Sequence, residues 1–453
     1  MDVNRTGTEI DAELITFQEG ASDTRYNQES VAPSWKVAAH GWASVWERVV
    51  DGVLLLAALI LLGGAVPDGL TLRSQRLTVA VAGQTFDLAR WEAGALWEKG
   101  VALVQQPAAD VPPTQASTLV VDYLAKARRM GELDGEITRL LATNGGELEA
   151  EIRRLQAEEE GLRVEQAANR AAVEQIIQVQ VGAELSAAGF AIGSVTLPPV
   201  QFTFTEPPKK MVVSSRTRIE TVYSRMLRPG MSLPAIEEAE AAIRADEDLV
   251  AYITNIGGLG AYPTMVVDQA SLAWVFNTVA HEWVHNYLTF FPLGFNYNTS
   301  PEITTINETV ADIVGDEIGD RVLRRYYPDQ VPPEPSTSPN PQSPIPNPPA
   351  FDFRAEMRAT RLTVDRLLGE GKVVQAEMYM EARRLVFVEN GYNLRVLNQG
   401  YFAFHGSYGT GAASSSPIGP LLQKLRGQMP DLHAFLVTVR GIKSQAEIEA
   451  LLN

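Results

Sequence analysis

The chain has 453 residues, 45% of them hydrophobic and 21% charged, with a net charge of −17 and no cysteine. That length holds two or three domains and a sizeable core. The acidic balance argues against nucleic acid or anionic lipid as the main partner, and the lack of cysteine excludes disulfides and thiolate metal ligands.

Residues 1–40 are polar and acid-rich with little periodicity, and read as a mobile tail. Residues 41–67 read as a transmembrane anchor. Gly52 to Val66 is unbroken apolar sequence at the short end of a membrane span, and Trp42 and Trp46 suit the interfacial belt. A buried helix of a soluble fold is the alternative. A short tail before the anchor and a large domain after it fit a single-pass protein with its main domain outside the cytoplasm.

Residues 68–188 begin with Leu77–Leu88, which alternates around a glycine and predicts a β-hairpin. A helix carrying Trp91 and Trp97 follows. Residues 117–142 and 147–185 read as two long helices broken by Asn144, Gly145 and Gly146. Leu141, Leu148, Leu155 and Leu162 recur every seven residues, which suggests an antiparallel helical hairpin with coiled-coil packing and a possible homo-oligomer contact. In residues 189–327 the pattern changes. Val195–Phe204 and Lys210–Leu227 predict strands, Leu233–Ile253 a helix, and Gly257–Val267 a glycine turn leading into a strand. Pro263 suits an edge strand.

The segment from Ser271 to Phe290 carries apolar residues at three- and four-residue steps and predicts a buried helix, with Asp268 as a candidate cap. It contains His281-Glu282-Trp283-Val284-His285, the pattern H-E-x-x-H, in a chain with only five histidines. On a helix the two imidazoles lie one turn apart on one face and can grip one Zn²⁺, with the glutamate within reach of a water. Catalytic zinc takes three protein ligands and keeps one position open. A second predicted helix, Thr305 to Asp316, supplies the candidate third ligand, Glu308. One turn later, Asp312 could fix a ligand histidine's tautomer. Asn307 or Thr305 would cap that helix. The plainer reading of Glu308 and Asp312 is a solvated acidic face.

H-E-x-x-H followed by N-E-x-x-x-D resembles the gluzincin metallopeptidases, over about residues 255–320. The metzincin pattern fits less well, because Leu288 and Phe291 stand where its continuation needs Gly and His. The resemblance implies one Zn²⁺ per chain held by His281, His285 and Glu308, with Glu282 as general base towards a zinc-activated water and Asp312 behind a histidine. It also implies a peptide or protein substrate, an edge strand at Gly260, Ala261 and Tyr262 that binds the substrate backbone, and a Tyr or His donor to the oxyanion. His405 is the first candidate for that donor, then Tyr408, with Tyr401 and Tyr297 behind them. Residues 328–350 are dense in proline and read as an extended loop, and 351–453 as a helical lower lobe in about four segments. The expected whole is an α+β, zincin-like, two-lobed catalytic domain behind a helical hairpin and a membrane anchor. The rival readings are a membrane-tethered scaffold with a structural or inactive zinc site, and a zinc hydrolase of non-peptide substrates.

Overall fold

A computed structural model describes residues 69–109, 111–142, 148–193, 195–331 and 351–453. The acidic tail, the apolar segment 41–67 and most of the proline-rich loop lie outside the described residues. Among the described residues no helix is long and apolar enough to cross a membrane. The described fold is α+β, mostly helical with small sheets.

The chain enters through α1 (Gly69–Ala80) and α2 (Leu88–Gln105). The predicted hairpin at Leu77–Leu88 is therefore not formed. Its first half continues a helix that buries Leu77 and Val81, and only Thr85 bridges a strand, at Leu227. Two long antiparallel helices follow, α3 (Pro113–Ala142) and α4 (Glu149–Ala187). The seven-residue leucine repeat does not form one seam, because it crosses the break between these helices. Leu155 is sealed against Leu133 and Ile137, while Leu141 is 61% exposed. The root of the hairpin, with Tyr123, Leu124, Val173 and Ile177, belongs to the main core.

Two short strands, β1 (Ala191–Ile192) and β2 (Val195–Thr196), pair with each other. Then come β3 (Phe202–Phe204), β4 (Lys209–Ser215), β5 (Tyr223–Leu227), α5 (Leu233–Arg244) and β6 (Leu249–Asn255). The predicted helix over Leu233–Ile253 thus ends early, and its last residues are a strand. Leu249 to Ile253 are buried in succession because both faces of their sheet are covered. The sheet order is β5-β4-β6, all antiparallel. Successive side chains of β4 point to opposite faces: Met211 and Val213 pack with α1 and α5, and Val212 packs against the helices after residue 351. A second sheet has the order β3-β8-β7, with β7 (Gly258–Leu259) at an edge and β8 (Thr264–Val266) in the middle.

Helices α6 (Leu272–Leu288), α7 (Pro292–Phe295) and α8 (Pro301–Tyr326) form the centre. Val275, Phe276, Val279, Trp283, Val284 and Leu288 of α6 are buried, each contributing about 1.5–3 kcal/mol. Together they outweigh the several kcal/mol that burying a charged group costs, so the helix can carry Glu282 inside. After residue 351 there are six helices rather than four: α9 (Phe353–Gly369), α10 (Val373–Glu389), α11 (Gln399–His405), α12 (Ile418–Gln428), α13 (Leu432–Val439) and α14 (Gln445–Leu452). They do not share one core. α9–α11 pack on the β4 sheet, whereas α12–α14 join the core of α6 and α8.

Candidate metal centre

α6 begins at Ser271, whose hydroxyl accepts from the Trp274 N–H, and α8 begins at Ser300, which accepts from Ile303 ahead of Pro301. These serines, and not the predicted Asp268, Asn307 or Thr305, cap the two helices. Asp268 instead accepts from Gln166. Both helices start well before the motif, so its residues fall in regular helix.

α6 and α8 make the most extensive helix–helix contact of the fold. Gly315 and Gly319 permit it. A Cβ at Gly319 would stand 1.9 Å from Asn277 Oδ1, and one at Gly315 would stand 2.8 Å from the Asn277 carbonyl. This closeness brings Glu308 under the histidines. His281 Nε2 and His285 Nε2 are 3.0 Å apart, and Glu308 Oε2 lies 3.4 Å from the first and 3.6 Å from the second. A tetrahedral Zn²⁺ bound at 2.0–2.1 Å would separate its ligand atoms by about 3.3–3.4 Å. The three atoms therefore fit one cation. Glu308 Oε2 is also buried without a hydrogen-bond partner, an expense that a bound cation removes. Among the described residues no fourth ligand-type side chain joins the group.

Each ligand is held from behind. His281 Nδ1 lies 3.1 Å from Asp312 Oδ1, and His285 Nδ1 lies 2.8 Å from Asn307 Oδ1. Both contacts fix the tautomer that presents Nε2 to the centre. Asn307 also donates to the Leu293 carbonyl, which sets its amide orientation. The Tyr297 hydroxyl donates to Glu308 Oε1, leaving Oε2 as the free oxygen. Tyr297 is thereby committed to the ligand and is not available as an oxyanion donor.

Charges follow from this packing. Burial pulls the His281 pKa down, but its bonds to Asp312 and Glu308 outweigh that and raise it well above the usual histidine range. Burial pushes Glu308 up, and the two histidines overcome it and hold the carboxyl well below its usual range. Glu282, buried beside the pair, is raised chiefly by desolvation. Its carboxylate is walled by β7: a Cβ at Gly258 would meet Oε1 at 2.5 Å, and one at Gly260 would meet Oε2 at 3.2 Å.

A cleft of about 720 Å³ opens on the three ligands and Glu282. Gly257, Gly258, Leu259 and Gly260 line it, but Ala261 and Tyr262 do not. Ala261 is buried, and the Tyr262 hydroxyl turns away to the Pro199 carbonyl. Of the three residues expected to bind a substrate backbone, Gly260 lines the cleft, next to the edge strand β7, and Ala261 and Tyr262 do not. His405 lines the cleft but shares a 3.3 Å hydrogen bond with the Tyr252 hydroxyl, and burial pushes its pKa down to about 4, so it is neutral at pH 7. Tyr401 is sealed in the core. The Tyr408 ring stands 6.3 Å from that of His281, and the charge of Glu308 together with burial holds its hydroxyl protonated. Its loop is pinned to α8: the Gly409 N–H donates to Thr309 Oγ1 and the Thr410 hydroxyl donates to Asp312. Among the described residues the Tyr408 hydroxyl has no hydrogen-bond partner, whereas the His405 imidazole is shared with Tyr252.

Asn307's contact with His285, Tyr297's hold on Glu308, Thr410 and the glycine pair escaped the sequence reading. Only Gly315-x-x-x-Gly319 left a signal there, as two small residues one turn apart. No family model, curated protein or solved structure matches this chain.

Proposed function

We propose that this chain is a zinc-dependent hydrolase of gluzincin type that cleaves peptide bonds, with a zincin-like cleft between the β7–α6 side and the α11 side. The convergence of His281, His285 and Glu308 on one cation-sized triangle, with Glu282 beside it in an open cleft, carries the reading. When bound, Zn²⁺ supplies a Lewis acid that polarises a carbonyl and acidifies a water. Glu282 takes the proton of the attacking water and returns it to the leaving amine, a role that its largely buried, glycine-walled position favours. The Tyr408 hydroxyl donates to the developing oxyanion. β7 has a strand partner on one side only, β8, and offers its other edge for an extended peptide. That edge, next to Glu282, favours a peptide over a non-peptide substrate.

The test is metal content together with cleavage of a quenched peptide library by the wild type and by Glu282→Gln. One zinc per chain in both, with cleavage by the wild type alone, is the expected result. A chain that takes up no zinc overturns the proposal, and zinc without cleavage in either form returns the scaffold reading.

A further inference from the structure

The cleft does not end at the metal centre. Beyond Tyr297 and Tyr408 it continues into a second compartment of about 460 Å³, bounded by the β4–β5 hairpin, the start of α8, α9 and the loop at Ser414–Ser416. Lys210, Tyr297, Glu308 and Tyr408 line both spaces, so the two are continuous.

Two cations face this compartment. Lys210 stands on β4 with its ammonium 5.3 Å above the Phe404 ring. It has no carboxylate partner and no hydrogen bond among the described residues, although the chain carries 55 acidic residues. Its charge reaches Glu282 in the same cleft, whose carboxyl pKa it helps to lower, but no carboxylate closes on it, so its ammonium stays open to an anion that arrives with a ligand. Arg361 of α9 is the second. Its Nε faces both oxygens of Asp365 at 2.9 and 3.0 Å, and its Nη1 donates to the Ala413 carbonyl at 3.1 Å. Its Nη2 has no partner among the described residues and is not sealed from solvent. Most of the guanidinium is thus spent on holding its own position, leaving one donor edge for the compartment. The remaining wall is mixed: Ser300 and Ser407 supply hydroxyls, Ile219 and Phe402 supply apolar surface, and the two carboxylates that line it are already engaged, Glu220 with Arg218 and Glu308 with Tyr297 and the histidines. A ligand carboxylate would find two cations and several donors there, with its carbon chain against the apolar side.

We propose that this compartment is a specificity subsite for a substrate carboxylate, recognised by Lys210 and Arg361. The inference rests on the peptidase reading for the substrate's class but not for the anion site itself. The carboxylate is either an internal Glu or Asp side chain next to the scissile bond or the free C-terminus of a short peptide. A subsite that reads charge also serves selectivity, because a competing neutral side chain leaves the two cations unpaired.

The experiment uses the full chain in two formats. Cleavage is followed for quenched peptides that differ only as Glu or Gln at each position flanking the cut, each with a free or an amidated C-terminus. Binding of the same peptides, dye-labelled, is followed by anisotropy on Glu282→Gln, which needs no turnover. The expected preference for the carboxylate is about tenfold or more, as for a charge-assisted hydrogen bond. A Glu-over-Gln preference identifies the side chain, and an acid-over-amide preference identifies the terminus. Lys210→Met is expected to bring the ratio close to one, and Lys210→Arg to keep it. The ratio cancels any effect of Lys210 on Glu282 that is common to both peptides. Lys210 makes no ion pair, and Met keeps its aliphatic stem while giving up the contact of the ammonium with the Phe404 ring. Arg361→Lys keeps a cation beside Asp365 but removes Nη2, and is expected to reduce the ratio part-way. Equal binding of the acid and neutral peptides at every position overturns the proposal, as does a preference that Lys210→Met leaves unchanged. Selective binding without cleavage would uphold the subsite and refute the peptidase, so the two failures are distinct.

Discussion

At the scale of single residues, the site separates groups that hold the metal from groups that act. Glu282→Gln removes the base but no ligand, and is expected to keep zinc and lower turnover by about 10²–10⁴. Tyr408→Phe removes only a hydroxyl, and is expected to lower kcat by about 10²–10³ with metal content unchanged. An unaltered kcat would return the oxyanion role to His405. His405→Phe is expected to cost less, since that imidazole already shares its Nε2 with Tyr252. Asn307→Leu acts on the other half: without its contact to His285 Nδ1, zinc affinity should fall by about 10–100-fold in a competition titration against a chelator. Equal zinc affinity would make the Asn307 contact incidental. The sequence displayed the histidines and both acids, because H-E-x-x-H and N-E-x-x-x-D are local patterns. It did not display what Tyr297, Asn307 and Thr410 do, because those roles arise from contacts between segments.

At the scale of elements, α6 and α8 must cross closely for Glu308 to reach the histidines. Gly319→Ala puts a methyl group against Asn277, and is expected to cost about 1–3 kcal/mol by overpacking and to weaken zinc binding as the helices part. Calorimetric melting with and without zinc reads both effects, and full stability with full affinity would show that the contact has room to yield. A second element contact carries a pH signature. The Arg216 guanidinium at the end of β4 holds Glu377 of α10 with two 2.8 Å bonds and keeps its carboxyl below the usual range. A lowered carboxyl pKa contributes stability above the unfolded value of about 4.5 and loses it as pH falls through the folded value. The difference in Tm between wild type and Glu377→Gln should therefore be largest near neutral pH and shrink on acidification. A difference that does not change with pH would mean that Glu377 acts through packing alone.

At the scale of the whole molecule, the residues of the site come from β4, β7, α6, α8, α9, α11 and the loop after it, so the cleft exists only when both halves of the chain are assembled. The helices after residue 351 divide between two cores, α9–α11 on the β4 sheet and α12–α14 on α8. This division ties the wall bearing Tyr408 to the helix bearing Glu308. The apolar run Gly52–Val66 belongs to this scale too. If it anchors the protein, the full chain should stay with membranes through alkaline carbonate extraction and leave only with detergent. Recovery in the aqueous fraction would remove the anchor from the account.

The sequence by itself determined the motif helix, the second helix with its acidic pair, and the two long helices before them. Each is set by periodicity within one stretch of chain, although the residues that cap the motif helix and the second helix, Ser271 and Ser300, were not the ones expected. It misread Leu77–Leu88 and Leu249–Ile253, where a short apolar run serves helix or strand equally and the neighbouring layer decides. It did not place the edge strand, because Gly258–Leu259 becomes an edge only by pairing with β8. Tertiary structure alone decided that His281, His285 and Glu308 converge, that His405 is shared with Tyr252 while Tyr408 has no partner among the described residues, and that Lys210 faces the second compartment. Those depend on distances between side chains far apart in the chain, which no local pattern encodes.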